Sequence, residues 1–192
     1  MFFKDVAGQN DVKQHLVEMV ENNRLSHALL FLGKEGSGAL PLAMVFAQYI
    51  SLLPSINNYS PSEISLFGES AEIKLPSTPD AADVWMQQQT ALTRASQMVH
   101  PDIHFSYPVV IKKPGTPPIS TDYVQEWREF ISQMPYGNVY DWLQFIDAEN
   151  KQGNITAQEC NDIIRKLNLK SFESGYKILI MWMPEYLGKE GN

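Results

Sequence analysis

Cysteine is almost missing from this sequence: Cys160 is the single one in 192 residues. One thiol excludes an intramolecular disulfide framework and any metal site built from several cysteines. Long apolar runs are missing too. No stretch approaches the roughly 20 residues that a membrane-spanning helix needs. The opening MFFKDVAGQND has no apolar core of signal-peptide length. Positive charge is in deficit, with 15 lysines and arginines against 22 aspartates and glutamates, a net −7. Non-specific DNA affinity comes mainly from phosphate neutralisation and counterion release, so such a chain by itself is expected to bind DNA poorly. The same balance gives no support for binding to anionic membranes. Together these absences predict a soluble, cytoplasmic protein.

What is present is enough for a core. Hydrophobic residues make up 44% and aromatics 11% of the chain, which excludes wholesale disorder. The length fits one domain, or one domain with a small appendage.

Hydrophobic periodicity predicts a helix over 9–23, with Val12, Leu16, Met19, Val20 and His15 sharing a face and Asn10 or Asp11 as cap. The run ALLFL at 28–32 has strand length and no polar alternation, which predicts a strand buried on both faces. A glycine-rich turn and a helix over 39–53 follow, the start of a βα unit. From Pro54 the composition shifts to Ser, Pro and Asn, which predicts an irregular excursion to about residue 82. Further helices are expected over 83–98 (started by Asp83), 122–134 (Val124, Trp127, Phe130 and Ile131 on one face), 139–147 and 155–170. For the last, Thr156 with Glu159 has capping-box spacing. Strands are expected over 103–111, interrupted at Pro108, and over 176–183. This order predicts an α/β fold of three layers around a parallel sheet. The sequence ends at Asn192, where a crossover helix is expected, which predicts a piece of a longer gene product.

The turn between the first strand and its helix carries the most chemistry. Gly33-Lys34-Glu35-Gly36-Ser37-Gly38-Ala39-Leu40 has the two glycines of the phosphate-loop pattern G-x-x-x-x-G-K-[ST], at Gly33 and Gly38. In that motif backbone amides cradle phosphates, the lysine reaches the β/γ-phosphates and the hydroxyl holds magnesium. Ala39 stands at the lysine position and Leu40 at the hydroxyl position, and Lys34 comes too early to substitute along the same path. A glycine-rich βα turn without phosphate chemistry has the same spacing. Acidic residues ending a later buried strand would complete an NTPase. There the sequence reads Trp182-Met183-Pro184-Glu185, with no Asp-Glu pair.

Several pieces of the chain resemble the first AAA+ module of bacterial clamp-loader subunits. These are Phe3, Val6, Gly8 and Gln9; Arg24-Leu25-Ser26-His27-Ala28; the glycine loop with Ala43, Phe46 and Ala47; His100-Pro101-Asp102; and Gly175-Tyr176-Lys177-Ile178-Leu179-Ile180. The resemblance covers most of the chain and implies a P-loop NTPase-like AAA+ domain. Within that family it points to the stator type of subunit, which lacks the lysine, the hydroxyl and the acidic pair. It therefore implies no intrinsic ATPase and no cofactor. Gly33, Gly36, Gly38, Ala39 and Leu40 would be a degenerate phosphate loop. It implies motor subunits of the gamma/tau type and a delta subunit as partners, with DNA reached only through the complex. The family's four-cysteine zinc module, which precedes the His-Pro-Asp run, is replaced here by a cysteine-free insertion at about 54–99, expected to pack on Val84, Trp85, Leu92 and Met98. The arginine that such subunits present to a neighbour's ATP site is expected beyond Asn192. Two other readings stay open: a motor-type subunit that binds ATP through an altered loop using Lys34, and an unrelated α/β module.

Other candidates have plainer readings. His100 and His104 are four apart, but Pro101 disfavours a helix that would align them as ligands, so a turn into a strand is expected. His27 has no accompanying nucleophile and reads as a packing or capping residue. Cys160 lies in a polar helical stretch and reads as an ordinary helical cysteine. Lys112-Lys113 read as a solvated loop. Tyr136, Tyr140, Trp142 and Phe145 read as core, with a partner surface as the alternative.

Overall fold

A computed structural model describes residues 1–53, 75–112 and 114–188. The sequence-predicted excursion therefore lies largely outside the described residues, as does Lys113.

Helix α1 (Asn10–Glu21) buries Leu16, Val17 and Val20. Val12 and His15, expected on that face, are exposed. Lys13 is buried instead, because its ammonium donates to the Val6 carbonyl at 2.6 Å while its methylenes cover apolar surface. Neither Asn10 nor Asp11 is the cap. Gln9 holds that place in a left-handed conformation (φ 58°) without a side-chain bond to the helix. Helix α2 (Ala39–Ser51) is apolar on nearly every side and almost wholly buried, as a helix without a polar face must be. Its residues divide between two apolar clusters. Leu40, Met44 and Ala47 belong to one, while Leu42, Val45, Phe46 and Tyr49 belong to the other.

Two short helices replace the single one expected over 83–98. Helix α3 (Pro79–Gln87) starts at Thr78, whose hydroxyl accepts the Ala81 N–H. Asp83, the expected start, is buried within α3, where its carboxylate accepts the N–H groups of Phe3 and Lys4 at 2.8 and 3.0 Å. This ties α3 to the 3-10 turn Phe3–Asp5. Helix α4 (Leu92–Ser96) follows. Of the residues expected to hold this region, Val84 is exposed. Ala82 and Met86 are buried in the second cluster, and Trp85 meets Tyr49 edge to face.

The sheet contains two strands among the described residues. Strand β1 (Ile103–Ser106) pairs in parallel with β2 (Ile178–Met181), Ile103 opposite Ile178 and Ser106 opposite Met181. Both are shorter than the sequence predicts. Beyond Ser106 the chain reaches Pro108, which has no N–H for a ladder. Val109 then forms an isolated antiparallel bridge with Asn154. The strand expected at 28–32 is absent: these residues have no ladder partner among the described residues, and Leu30 and Leu32 are 79% and 89% exposed.

Helices α5 (Val124–Gln133) and α6 (Val139–Phe145) build the first cluster. Trp127, Phe130 and Ile131 are buried as the spacing predicts, while Val124 is half-buried. Trp142 is the hub. Its ring lies 5.3 Å from those of Tyr107, Trp127 and Phe130, and its indole N–H donates to the Pro108 carbonyl at 2.7 Å. Helix α6 has a full capping box, Asn138 with Asp141. Helix α7 (Ala157–Leu167) is capped by Thr156 as expected, but the reciprocal half is missing. The Glu159 carboxylate turns inward, fully buried, and accepts from the Ser120 N–H and hydroxyl.

The architecture is thus mixed α/β, with seven α-helices and a small parallel sheet among the described residues. No helix among them is long and apolar enough to cross a membrane.

Candidate functional site

The glycine loop forms at the N-terminus of α2. Gly36 and Gly38 both have positive φ, 71° and 90°, a backbone region that side chains rarely enter. Ser37 donates its N–H to the Lys34 carbonyl at 3.0 Å, closing the turn. Gly38 is the N-cap of α2, and no side chain caps the helix. The loop therefore has the turn-then-helix shape in which free first-turn N–H groups and the helix dipole attract anions.

Its surroundings work against a phosphate. Ala39 supplies no charge. Leu40 is buried in the first cluster, pointing away from solvent. Pro41, the third residue of the helix, has no N–H, so one of the first-turn donors is missing. Glu35 places a carboxylate on the loop, held by the Asn138 side-chain amide at 3.2 Å. The Tyr136 ring lies against Gly38: a β-carbon there would sit 3.2 Å from its Cε1. The same tyrosine's hydroxyl accepts the Ala7 N–H at 2.8 Å, and Gln9 donates to the Ser37 carbonyl at 3.0 Å. The N-terminal segment, the glycine loop and the start of α6 are thereby tied together by Tyr136, Gln9 and the Asn138–Glu35 pair. Pro41 and Asn138 escape sequence reading, and Tyr136, read there as core, is instead half-buried against the glycine loop. Pro41 alone had a legible signal, its missing donor.

Two open grooves among the described residues lie elsewhere. One of about 620 Å³ is lined by Val6, Gly8, Asn10, Asp11 and Lys13 among others, and one of about 570 Å³ by residues 152–154 and 185–188. Neither is lined by any residue from 33 to 40. Lys34 is exposed on the loop.

After β2, where an acidic pair would complete an NTPase, Trp182 is buried and packs tilted against Trp127, ring centroids 5.3 Å apart. Glu185 is exposed, beyond the strand, in the 3-10 turn Pro184–Tyr186. No carboxylate ends β2.

The His-Pro-Asp run has a different task. Asp102 is fully buried, and its carboxylate accepts the N–H groups of Phe172, Glu173 and Ser174 at 2.7, 2.8 and 2.9 Å. It fixes the loop that delivers β2 to β1. Burial raises its pKa, but the three N–H donors and nearby His100 outweigh burial and hold it below the ordinary aspartate range. The His100 Nδ1 accepts the Asp102 N–H at 3.2 Å, and its Nε2 lies 3.5 Å from Glu173, which also pairs with Arg94 at 2.6 Å. Burial lowers the pKa of His100, with Glu173 opposing. His104 is half-buried on β1, and its pKa is also lowered by burial. Among the described residues no three His, Cys, Asp or Glu side chains gather as metal ligands.

The remaining candidates scatter. His27 is exposed, and Cys160 is half-buried on α7. Lys112 pairs with Glu126 at 2.9 Å and lies over the Tyr123 ring. Trp142 is core, Phe145 and Tyr136 are half-buried, and Tyr140 is exposed.

No family model, no curated protein and no solved structure matches this chain.

Proposed function

We propose that the chain is the AAA+ core of a non-catalytic clamp-loader subunit of the delta-prime type in a DNA polymerase III assembly, a stator for the ATP-driven motor subunits that load the sliding clamp in DNA replication. The observation that carries this reading is the glycine loop. It keeps the left-handed glycines and the helix start of a phosphate loop, while Ala39 and Leu40 stand where the lysine and hydroxyl would be, Pro41 lacks a first-turn N–H and Glu35 adds a carboxylate. A loop built that way serves the fold, and the tethers from Tyr136, Gln9 and Asn138 make it a rigid corner. The finer fold proposed is the three-layer P-loop arrangement, of which β1, β2 and the covering helices would be part. The gamma/tau motor subunits and the delta subunit are the proposed partners, and contact with DNA is through the complex.

The test is a tagged purification of the complete gene product from its own cells, with mass spectrometry of the companions. Motor and delta subunits are expected. Their absence, under conditions where they assemble with one another, would overturn the reading. A titration with ATP and magnesium separates the motor-type alternative. Saturable turnover that Lys34→Ala abolishes would favour that alternative.

A further inference from the structure

The joint between β1 and β2 turns on one imidazole. The His100 side chain has no exposed surface. Its Nδ1 accepts the Asp102 N–H at 3.2 Å, and its backbone carbonyl accepts the Ile103 N–H at 3.2 Å. These two bonds set the turn from which β1 starts. The same turn presents the Asp102 carboxylate to the N–H groups of Phe172, Glu173 and Ser174. A ring nitrogen that accepts a hydrogen bond carries no proton, so the bond to Asp102 assigns a neutral imidazole with its hydrogen on Nε2.

The charges around the ring come from three sides. Glu173, in the loop before β2, places Oε1 3.5 Å from Nε2, too far for a good hydrogen bond. Its other oxygen is held by Arg94 of α4 at 2.6 Å. Nε2 is thus buried without a hydrogen-bond partner among the described residues. Asp102 lies on the histidine's own turn, and Arg128 of α5 donates to the Met98 carbonyl ahead of it at 3.2 Å. A second proton, on Nδ1, would face the Asp102 N–H, donor against donor. That N–H would lose its acceptor, and a cation would form inside the protein. Glu173 and Asp102 attract such a cation and Arg94 repels it. Burial outweighs the attraction and holds the histidine below its ordinary pKa.

Local opening would lift these constraints. Phe172 is 83% exposed, and the Phe172 and Glu173 bonds to Asp102 are only partly buried. Segments of this kind open at free energies below that of global unfolding. We propose that His100 is a proton-operated latch: its neutral form closes the turn before β1 onto the loop 172–174, and its protonation frees that loop while the aromatic core stays packed. In the open joint the ring returns to about 6.5. Closure is therefore fully stabilised above about pH 6.5 and weakens as pH falls below it. The latch is the same whichever assembly the chain serves.

The test uses the full chain between pH 7.5 and pH 5.5, where the Asp102 carboxylate stays ionised because its own pKa is held below the aspartate range. Ring nitrogen shifts by NMR are expected to place the His100 hydrogen on Nε2 at pH 7.5, with a titration midpoint below about 6.5. A hydrogen on Nδ1, or a midpoint above that value, would overturn the latch. This titration needs no variant. Amide exchange, corrected for its intrinsic pH dependence, should show Asp102 and residues 172–174 opening several-fold more often at pH 5.5. The ceiling is about tenfold, set by a group one unit below its open-state pKa. Near-UV circular dichroism should not change, because Tyr107, Trp127 and Trp142 stay packed. His100→Asn puts an amide oxygen in place of Nδ1 and carries no titrating proton, so most of the response should vanish. His104, whose pKa burial also lowers beside Lys166 and Lys177, is present in both proteins, so their difference belongs to His100. An equal response in both proteins would overturn the latch. Unchanged exchange in the parent, or loss of the near-UV signal along with the loop's protection, would overturn it too.

Discussion

Removing the Asp102 carboxylate is expected to destabilise the fold through the loop before β2. The side chain is fully buried and accepts three consecutive N–H groups. The bond from Ser174 is buried, and losing its acceptor costs about 1–3 kcal/mol. Those from Phe172 and Glu173 are partly exposed, and trading a carboxylate for water costs about 0.5–1.5 kcal/mol each. Relief of the carboxylate's own desolvation offsets part of this, leaving about 3 kcal/mol for Asp102→Ala. At a urea slope of about 2 kcal/mol per molar, the midpoint should fall by about 1–2 M. Asp102→Asn keeps an acceptor oxygen and loses the charge, so it should fall less. The pH dependence gives the sharper check. The native pKa is depressed, so on acidification the unfolded chain binds the proton first. The stabilisation is complete above about pH 5 and is lost as pH falls through the unfolded value near 4 toward the lower native one. Urea melts of parent and Asp102→Asn between pH 7 and pH 3 should therefore converge as pH drops. A difference that stays constant with pH, or an Asp102→Ala penalty below about 0.5 kcal/mol at pH 7, would refute the role assigned to this carboxylate.

Other outcomes follow from the same structure. Glu159→Ala strands the Ser120 N–H inside the protein, while the Ser120 hydroxyl keeps the Phe105 carbonyl as acceptor, and should cost about 1–3 kcal/mol by chemical denaturation. Thr156→Ala removes the α7 cap together with the hydroxyl's bond to the Pro118 carbonyl and should cost about 1–2 kcal/mol. Trp142→Phe leaves the Pro108 carbonyl without its indole donor, and together with lost ring contacts should lower stability by about 2–3 kcal/mol, read from the urea midpoint. Gly38→Ala forces a side chain into φ 90° and against Tyr136, and should cost about 1–3 kcal/mol. Tyr136→Ala in the same background should recover part of that loss if the ring contact is its source.

Local signals in the sequence were sufficient where a single helix face or a single cap decides the outcome. The 3.6-residue spacing of Trp127, Phe130 and Ile131 places them in the core because one stripe of α5 faces it. Thr156 caps α7 because its hydroxyl needs only the N–H three residues on. The absence of a lysine and a hydroxyl after Gly38 is likewise visible in sequence, since it concerns which atoms exist. Tertiary contact decided the rest. Glu159 has capping-box spacing, yet two donors on Ser120 outbid the local backbone N–H for its carboxylate. Asp83 and Lys13 look like solvent-facing charges until distant backbone groups supply their partners. His-Pro-Asp proved to be a clasp for a loop seventy residues later, a pairing that no local pattern encodes. The clearest case is ALLFL. Its composition specifies a strand buried on both faces, but a strand is defined by hydrogen bonds to a neighbour. Among the described residues none is there, so the segment forms no strand and Leu30 and Leu32 stay exposed.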